Sequence, residues 1–336
     1  MEKFSSFLNN SLPTSEFKIF PLAGDASSRS YYRIVCGENS YILMSWEAFN
    51  PEDYPFLTVA NLFKNHGVNV PQIISQNGSE GLLLLEDLGD LTLERKFWEF
   101  QDESMVIPYY KKSIDELIKI QFLTTSDSDK SCIAFNTKFD HDKFLWEFNY
   151  TYKHLLKGIL GVDLNDADEK ILLKDFSDVS NKLASHSNNI SHRDYHSRNL
   201  MIKLGEIKVI DFQDARLGPL QYDLVSLLHD SYVDISSDSQ KLLLEYYKNE
   251  IQPFIGRDFS ESEFDEIYKI QTIQRCFKAC GSFSSFYNTR DDRRYLKYIS
   301  GTLKIIFNEL IEIDELKPLL KLLNESGALE YGYNQL

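Results

Sequence analysis

Long apolar runs are missing from this sequence: none reaches the roughly 18 residues that a membrane-crossing helix needs. The opening residues, Met-Glu-Lys-Phe-Ser-Ser, lack the apolar core of a signal peptide. Cysteine is scarce, with four in 336 residues, at 36, 132, 276 and 280, and no framework spacing. Cys276 and Cys280 are one helical turn apart on a predicted helix, but a metal site there needs two further ligands, so reduced, packed thiols are expected. These absences point to a cytosolic chain without membrane contact. Positive charge is also short, with 36 Lys and Arg against 51 Asp and Glu and a formal charge of −15. Nucleic-acid surfaces need clustered cations, so that partner class is not expected. Acidity can favour cationic ligands, but it is also ordinary for a soluble protein. No feature specifies an oligomeric state. Hydrophobic residues at 43% and aromatics at 13% supply a full core, and the length suits one large or two medium domains.

The most informative stretch is 190–223. It contains His192-Arg193-Asp194, an asparagine five residues later at Asn199, and Asp211-Phe212. Leu200 to Lys203 and Ile207 to Ile210 are short β-prone runs joined across Leu204-Gly205-Glu206, where Gly205 can take a positive φ. With Gly205 at the centre of the turn, Asn199 faces Asp211 at the separation of opposed residues in an antiparallel pair. An amide oxygen and a carboxylate so placed can share a hard cation such as Mg²⁺. Asp194, one loop away, is placed to accept a proton from a hydroxyl. Mg²⁺-dependent phosphoryl transfer to an alcohol is the expected chemistry.

Along the chain, residues 4 to 12 read as a short helix stopped by Pro13, and strands follow. Phe17 to Leu22 and Tyr31 to Val35 flank Gly24-Asp25-Ala26-Ser27-Ser28-Arg29-Ser30, a small polar connector. It is not G-x-G-x-x-G, but its backbone N–H groups and hydroxyls suit phosphates. Tyr41 to Met44 make a third strand, Pro55 to Asn65 a helix, and Leu82 to Leu85 an apolar strand ending in Glu86-Asp87-Leu88-Gly89. Helices then dominate, at 104–123, 140–160, 166–187, 223–232, 237–250, 260–287, 291–311 and 313–325. The expected fold class is α+β: a small sheet lobe, residues 1–88, and a larger helical lobe, 89–336, with the nucleotide in the cleft between them.

The order His-Arg-Asp, Asn, Asp-Phe resembles the protein-kinase catalytic pattern. The whole layout resembles the small-molecule branch of that fold, the aminoglycoside phosphotransferases and choline kinases. The bacterial anomeric kinases of N-acetylmuramate and N-acetylglucosamine, enzymes of cell-wall recycling, are similar over the segments 24–33, 83–89, 192–201, 211–215, 218–230 and 274–278. That resemblance implies a bilobal protein-kinase-like fold with ATP and Mg²⁺ as cofactors and a small-molecule sugar as partner. It implies Asp194 as base, Asn199 and Asp211 as metal ligands, and the connector Gly24 to Arg29 over the phosphates. Glu86 to Leu88 would meet the adenine edge, His192 would buttress the catalytic loop, and Asp223 would steady it or merely cap a helix. Tyr195, His196 and Arg198 in the loop, and Arg275 and Lys278 on a later helix, would touch the sugar, or else pack and solvate. Asp214 is a second metal contact or a turn residue. The sequence departs from the protein-kinase pattern at one place: the third strand, Tyr41-Ile42-Leu43-Met44, has no lysine for the phosphates. Arg29 or Arg33 is the expected substitute. Three other readings stand beside this one: a kinase of amine-bearing acceptors, a nucleotide-binding protein without turnover, and a protein kinase. The last lacks both an A-P-E signature and a full activation segment after Asp211.

Overall fold

The computed structural model describes residues 2–22, 29–100, 102–256 and 259–336. Helix α1 (Glu2–Ser11) leads into β1 (Lys18–Pro21), β2 (Ser30–Cys36), β3 (Asn39–Ser45), α2 (Pro55–Asn65), β4 (Ile73–Asn77) and β5 (Leu82–Glu86). The strands form one antiparallel sheet in the order β1-β2-β3-β5-β4. Strand β5 reads as an unbroken apolar run because the sheet is covered on both faces, and alternate side chains serve opposite layers. Leu82 and Leu84 join Phe7, Leu8 and Leu12 on the α1 side, while Leu83 and Leu85 join Phe56, Val59 and Phe63 of α2. Pro55 opens α2, where its fixed φ and missing N–H do no harm.

The chain leaves the sheet through Asp87 to Leu91, where Gly89 takes φ 77°. Then come α3 (Leu93–Glu99), α4 (Ile107–Ile118), α5 (Ile133–Asn136), α6 (His141–Thr151) and α7 (Asp166–Ser185). Four short strands follow: β6 (Asn189–Ser191), β7 (Leu200–Lys203), β8 (Glu206–Val209) and β9 (Arg216–Gly218). Strand β6 pairs with β9 and β7 with β8. The chain ends in α8 (Leu220–Leu228), α9 (Ser237–Glu250), α10 (Glu261–Arg290), α11 (Ile299–Leu310) and α12 (Lys317–Glu325). The α+β arrangement is as expected, a sheet followed by helices. No helix among the described residues is long and apolar enough to cross a membrane.

One apolar core runs from α2 through Ile114 of α4 to Tyr195, Phe212 and Leu224, so the sheet and the 190–223 stretch share packing. Phe212 stands against Phe56 at 5.0 Å and Phe63 at 5.8 Å between ring centroids. A second core, with Phe144, Phe148, Phe176 and Phe277, joins α6, α7 and α10. All four cysteines are buried free thiols. The helix expected over 291–311 is shorter. Asp291 ends α10 at φ 51°, and its backbone N–H donates to the Tyr287 carbonyl; α11 begins only at Ile299.

Candidate active site

The hairpin of β7 and β8 carries the site, with a register one residue away from that expected. Leu200 faces Val209 and Lys203 faces Glu206, because the turn has two central residues, Leu204 and Gly205. Their φ values of 52° and 81° are those of a type I′ turn. Asn199 therefore faces Ile210, whose N–H donates to the Asn199 carbonyl at 3.0 Å. Asp211 lies one residue beyond, at φ 64°, and that left-handed backbone swings its carboxylate back toward Asn199. The two meet after all, with Asn199 Nδ2 3.4 Å from Asp211 Oδ2. Asn199 Nδ2 also donates to the Asp194 carbonyl at 2.9 Å, and Gln213 donates to Asp211 Oδ1 at 2.8 Å. Asn199 and Asp211 thus bring an amide and a carboxylate together, residue types whose oxygens could hold a hard cation such as Mg²⁺. Asp214 is engaged elsewhere, accepting from Arg193 Nη1 at 2.7 Å.

The loop that bears Asp194 is held from beneath. Asp223 is buried and accepts from the backbone N–H of His192 at 2.5 Å and of Arg193 at 3.0 Å. It lies inside α8 rather than at its cap, which is Pro219. These two bonds fix Arg193 at φ 85°, a conformation rare outside glycine, and so aim the next residue, Asp194. His192 is buried, and Nε2 donates to the Ile210 carbonyl at 2.9 Å while Nδ1 accepts from the Asp194 N–H at 3.3 Å. Burial pulls its pKa down, so the ring is a neutral strut tying the loop to the hairpin.

Asp194 faces three cations. Lys278 Nζ lies 3.5 Å from Oδ1, Arg275 Nη2 3.8 Å from Oδ1, and Arg193 Nε 3.8 Å from Oδ2. Burial alone would raise its pKa, but Lys278, Arg193 and Arg275 together hold it well below the carboxylate range. Beside Asp194 opens a cavity of about 190 Å³ whose wall includes His196, Arg275 and Lys278. Burial pushes the His196 ring down to about 3, against the pull of Asp194, so it is neutral. The cavity also takes Ser226, His229, Asp230 and Tyr232, which the sequence reading missed. The His-Asp pair ending the apolar run of α8 was the available signal.

Two loop residues turn away from this cavity. Tyr195 is fully buried, and its hydroxyl donates to the Ser113 carbonyl at 2.7 Å, which makes it a core residue. Arg198 is bound bidentately by Glu94 at 3.0 and 2.8 Å, and its Cζ lies 3.6 Å from the Tyr232 ring centroid. It lines a separate cavity with Tyr298 and Arg293. Arg198→Met should therefore lower stability by about 1–2 kcal/mol in urea unfolding and leave the acceptor KM within about twofold. A tenfold rise in KM at unchanged stability would return Arg198 to the substrate.

A second cleft, of about 530 Å³, holds Asn199 and Asp211 together with Arg29, Arg33, Glu86 and Leu88. Glu86 turns its carboxylate to Lys203 at 2.8 Å and to the Gln72 N–H at 3.1 Å, pinning the end of β5 to the hairpin. Arg33 is held by Asp87 at 2.7 Å and Asp90 at 2.9 Å. Gly24, Asp25, Ala26, Ser27 and Ser28 lie outside the described residues.

A cleft with a paired amide and carboxylate, next to a cavity floored by a charged aspartate, suits transfer between two substrates. The family model described as the phosphotransferase enzyme family matches residues 18–250. The chain belongs to that family. It is an ATP-dependent phosphotransferase acting on a small molecule. The phosphotransferase is 27% identical to an N-acetylmuramate/N-acetylglucosamine kinase of Neisseria meningitidis, over 98% of both chains. It is also 27% identical to one of Pseudomonas aeruginosa, over 91% of this chain and 88% of that one. An ADP-bound aminoglycoside phosphotransferase superposes with a TM-score of 0.56 at 16% identity, covering 90% and 97% of the two chains. A choline kinase of Streptococcus pneumoniae gives 0.59 at 15%, covering 91% and 98%. These neighbours establish the protein-kinase-like fold.

Proposed function

We propose that the phosphotransferase uses Mg·ATP to phosphorylate the anomeric hydroxyl of N-acetylmuramate or N-acetylglucosamine, a step in cell-wall recycling. The relatives named for those sugars support it, since they match nearly end to end. The observation that carries it within the chain is the set of open donors beside Asp194. Arg275 is nine-tenths buried, yet its only hydrogen bond among the described residues is Nε to Ser226 at 2.8 Å. Lys278 has none there, its nearest carboxylate oxygen being 3.5 Å away. Buried N–H groups seek acceptors, and these face an oxygen-rich or anionic substrate. An ammonium-bearing acceptor would enter against both charges.

The acceptor oxygen attacks the γ-phosphorus as the bond to the β–γ bridging oxygen breaks and ADP leaves. Asp194 Oδ holds the hydroxyl by its proton and takes that proton as the new O–P bond raises its acidity. Strong depression of its pKa keeps Asp194 ionised until then. Asn199 and Asp211 would hold Mg²⁺, which would supply charge neutralisation on the phosphates.

An acceptor panel of N-acetylmuramate, N-acetylglucosamine, glucose, choline and kanamycin tests the reading, and turnover is expected for the N-acetyl sugars. Turnover of choline or kanamycin alone would overturn it. Lys278→Met should lower kcat/KM for N-acetylmuramate about 10-fold more than for N-acetylglucosamine, the worth of a charge-assisted bond to the lactyl carboxylate. Equal losses would mean that Lys278 acts on Asp194 rather than on the sugar.

A further inference from the structure

Strand β3 carries Met44 in the place of the phosphate-pairing lysine. Met44 is fully buried in the core shared with α2 and has no charge to offer. The cleft that contains Asn199 and Asp211 has two cationic side chains in its wall among the described residues, Arg29 and Arg33. Arg33 is committed to the segment that follows β5. Asp87 and Asp90 grip its guanidinium from two sides, and those contacts raise its pKa further.

Arg29 is placed differently. Its Cζ lies 4.4 Å from the centroid of the Trp46 ring, and its charge acts on the hydroxyls of Tyr31 and Tyr54. Tyr54 is itself fixed, stacked on Phe49 at 4.2 Å and edge-on to Trp46 at 6.2 Å. An aromatic face orients a guanidinium, which suits the planar fork to oxyanions. Arg29 and Tyr31 line the same cleft as Asn199 and Asp211.

We propose that Arg29, oriented by Trp46, supplies to the nucleotide phosphates the positive charge that a third-strand lysine supplies in protein kinases. The proposal rests on the phosphotransferase reading but is independent of which acceptor is used. It is tested by calorimetric titration of the full chain with Mg·ATP, Mg·ADP and adenosine, with no acceptor present. Arg29→Met should weaken Mg·ATP and Mg·ADP about 10- to 100-fold and leave adenosine within about twofold. Arg29→Lys should recover part of the loss. Trp46→Leu should show a smaller loss of the same phosphate-selective kind, and Arg33→Gln no selectivity between ATP and adenosine. The proposal is overturned if Arg29→Met binds Mg·ATP like wild type. It is equally overturned if ATP and adenosine weaken together, which marks a structural role, or if the phosphate-selective loss appears in Arg33→Gln instead. Failure of the wild type to bind any nucleotide would strike the phosphotransferase reading itself.

Discussion

Asp194→Asn should lower kcat about 10³-fold, inside the range of a positioned general base, while Kd for Mg·ATP stays within about twofold. Asparagine keeps the shape and the hydroxyl-facing oxygen of Asp194 but cannot take the proton. The same change removes the carboxylate nearest both Arg275 at 3.8 Å and Lys278 at 3.5 Å, leaving Glu147 as the weaker influence on each. A substrate carboxylate then meets less competition for those cations, so KM for a carboxylate-bearing sugar should fall even as turnover collapses. A residue that merely braced the loop would not produce opposite movements of kcat and KM. Steady-state kinetics beside calorimetry would show the split, and a kcat loss under threefold would remove Asp194 from the chemistry.

The second large effect belongs to Asp223. Asp223→Ala leaves the buried N–H groups of His192 and Arg193 without their acceptor. At about 1–3 kcal/mol for each of the two unsatisfied groups, unfolding free energy should drop by about 2–6 kcal/mol. Activity should fall at least tenfold, since the φ 85° at Arg193 that aims Asp194 rests on those bonds. Burial pushes the Asp223 carboxyl up to about 7, against the two N–H donors. The folded chain therefore holds this proton up to about pH 7, whereas the unfolded chain releases it near 4. The stability this group contributes is complete below about pH 4 and is lost as pH rises through about 7. Activity runs the other way, because only the carboxylate accepts both N–H groups. We expect kcat/KM to rise with pH through an apparent pKa near 7. Over the same interval, the stability advantage of wild type over Asp223→Asn should narrow. Urea unfolding at about pH 5 and 8, with a pH–rate profile, checks both limbs.

Much of this was legible in the sequence. Helix α2 is stated by Pro55 followed by Phe56, Val59, Ala60 and Phe63 at helical spacing. Strand β5 is stated by its four consecutive leucines. Asp194, Asn199 and Asp211 stand in the order that the chemistry requires, and the hairpin between the last two could be read from Gly205. The register could not. A two-residue turn places Leu204 at positive φ and moves every pair by one, and Asp211 recovers its partner only through its own left-handed backbone. Side-chain direction in the catalytic loop was equally hidden. Tyr195 and His196 are neighbours, yet one enters the core and the other the cavity wall. Arg198 is captured by Glu94 of α3, a two-turn helix whose only sequence mark is the N-cap Thr92. Arg275 and Lys278 were easier, because three positions apart on a long helix they share a face. The missing lysine could be seen in Met44. Which arginine replaces it depends on Asp87 and Asp90, whose grip on Arg33 only the fold reveals.

The central claim, transfer to the anomeric hydroxyl with Asp194 as base, is tested most directly by following the reducing end. Purified protein is incubated with Mg·ATP and N-acetylmuramate, and ADP is measured alongside the free aldehyde, with Asp194→Asn in parallel. The account predicts one reducing end lost for each ADP formed, and neither change in the variant. ADP formed while the reducing end stays intact would place the phosphate on another hydroxyl and contradict it.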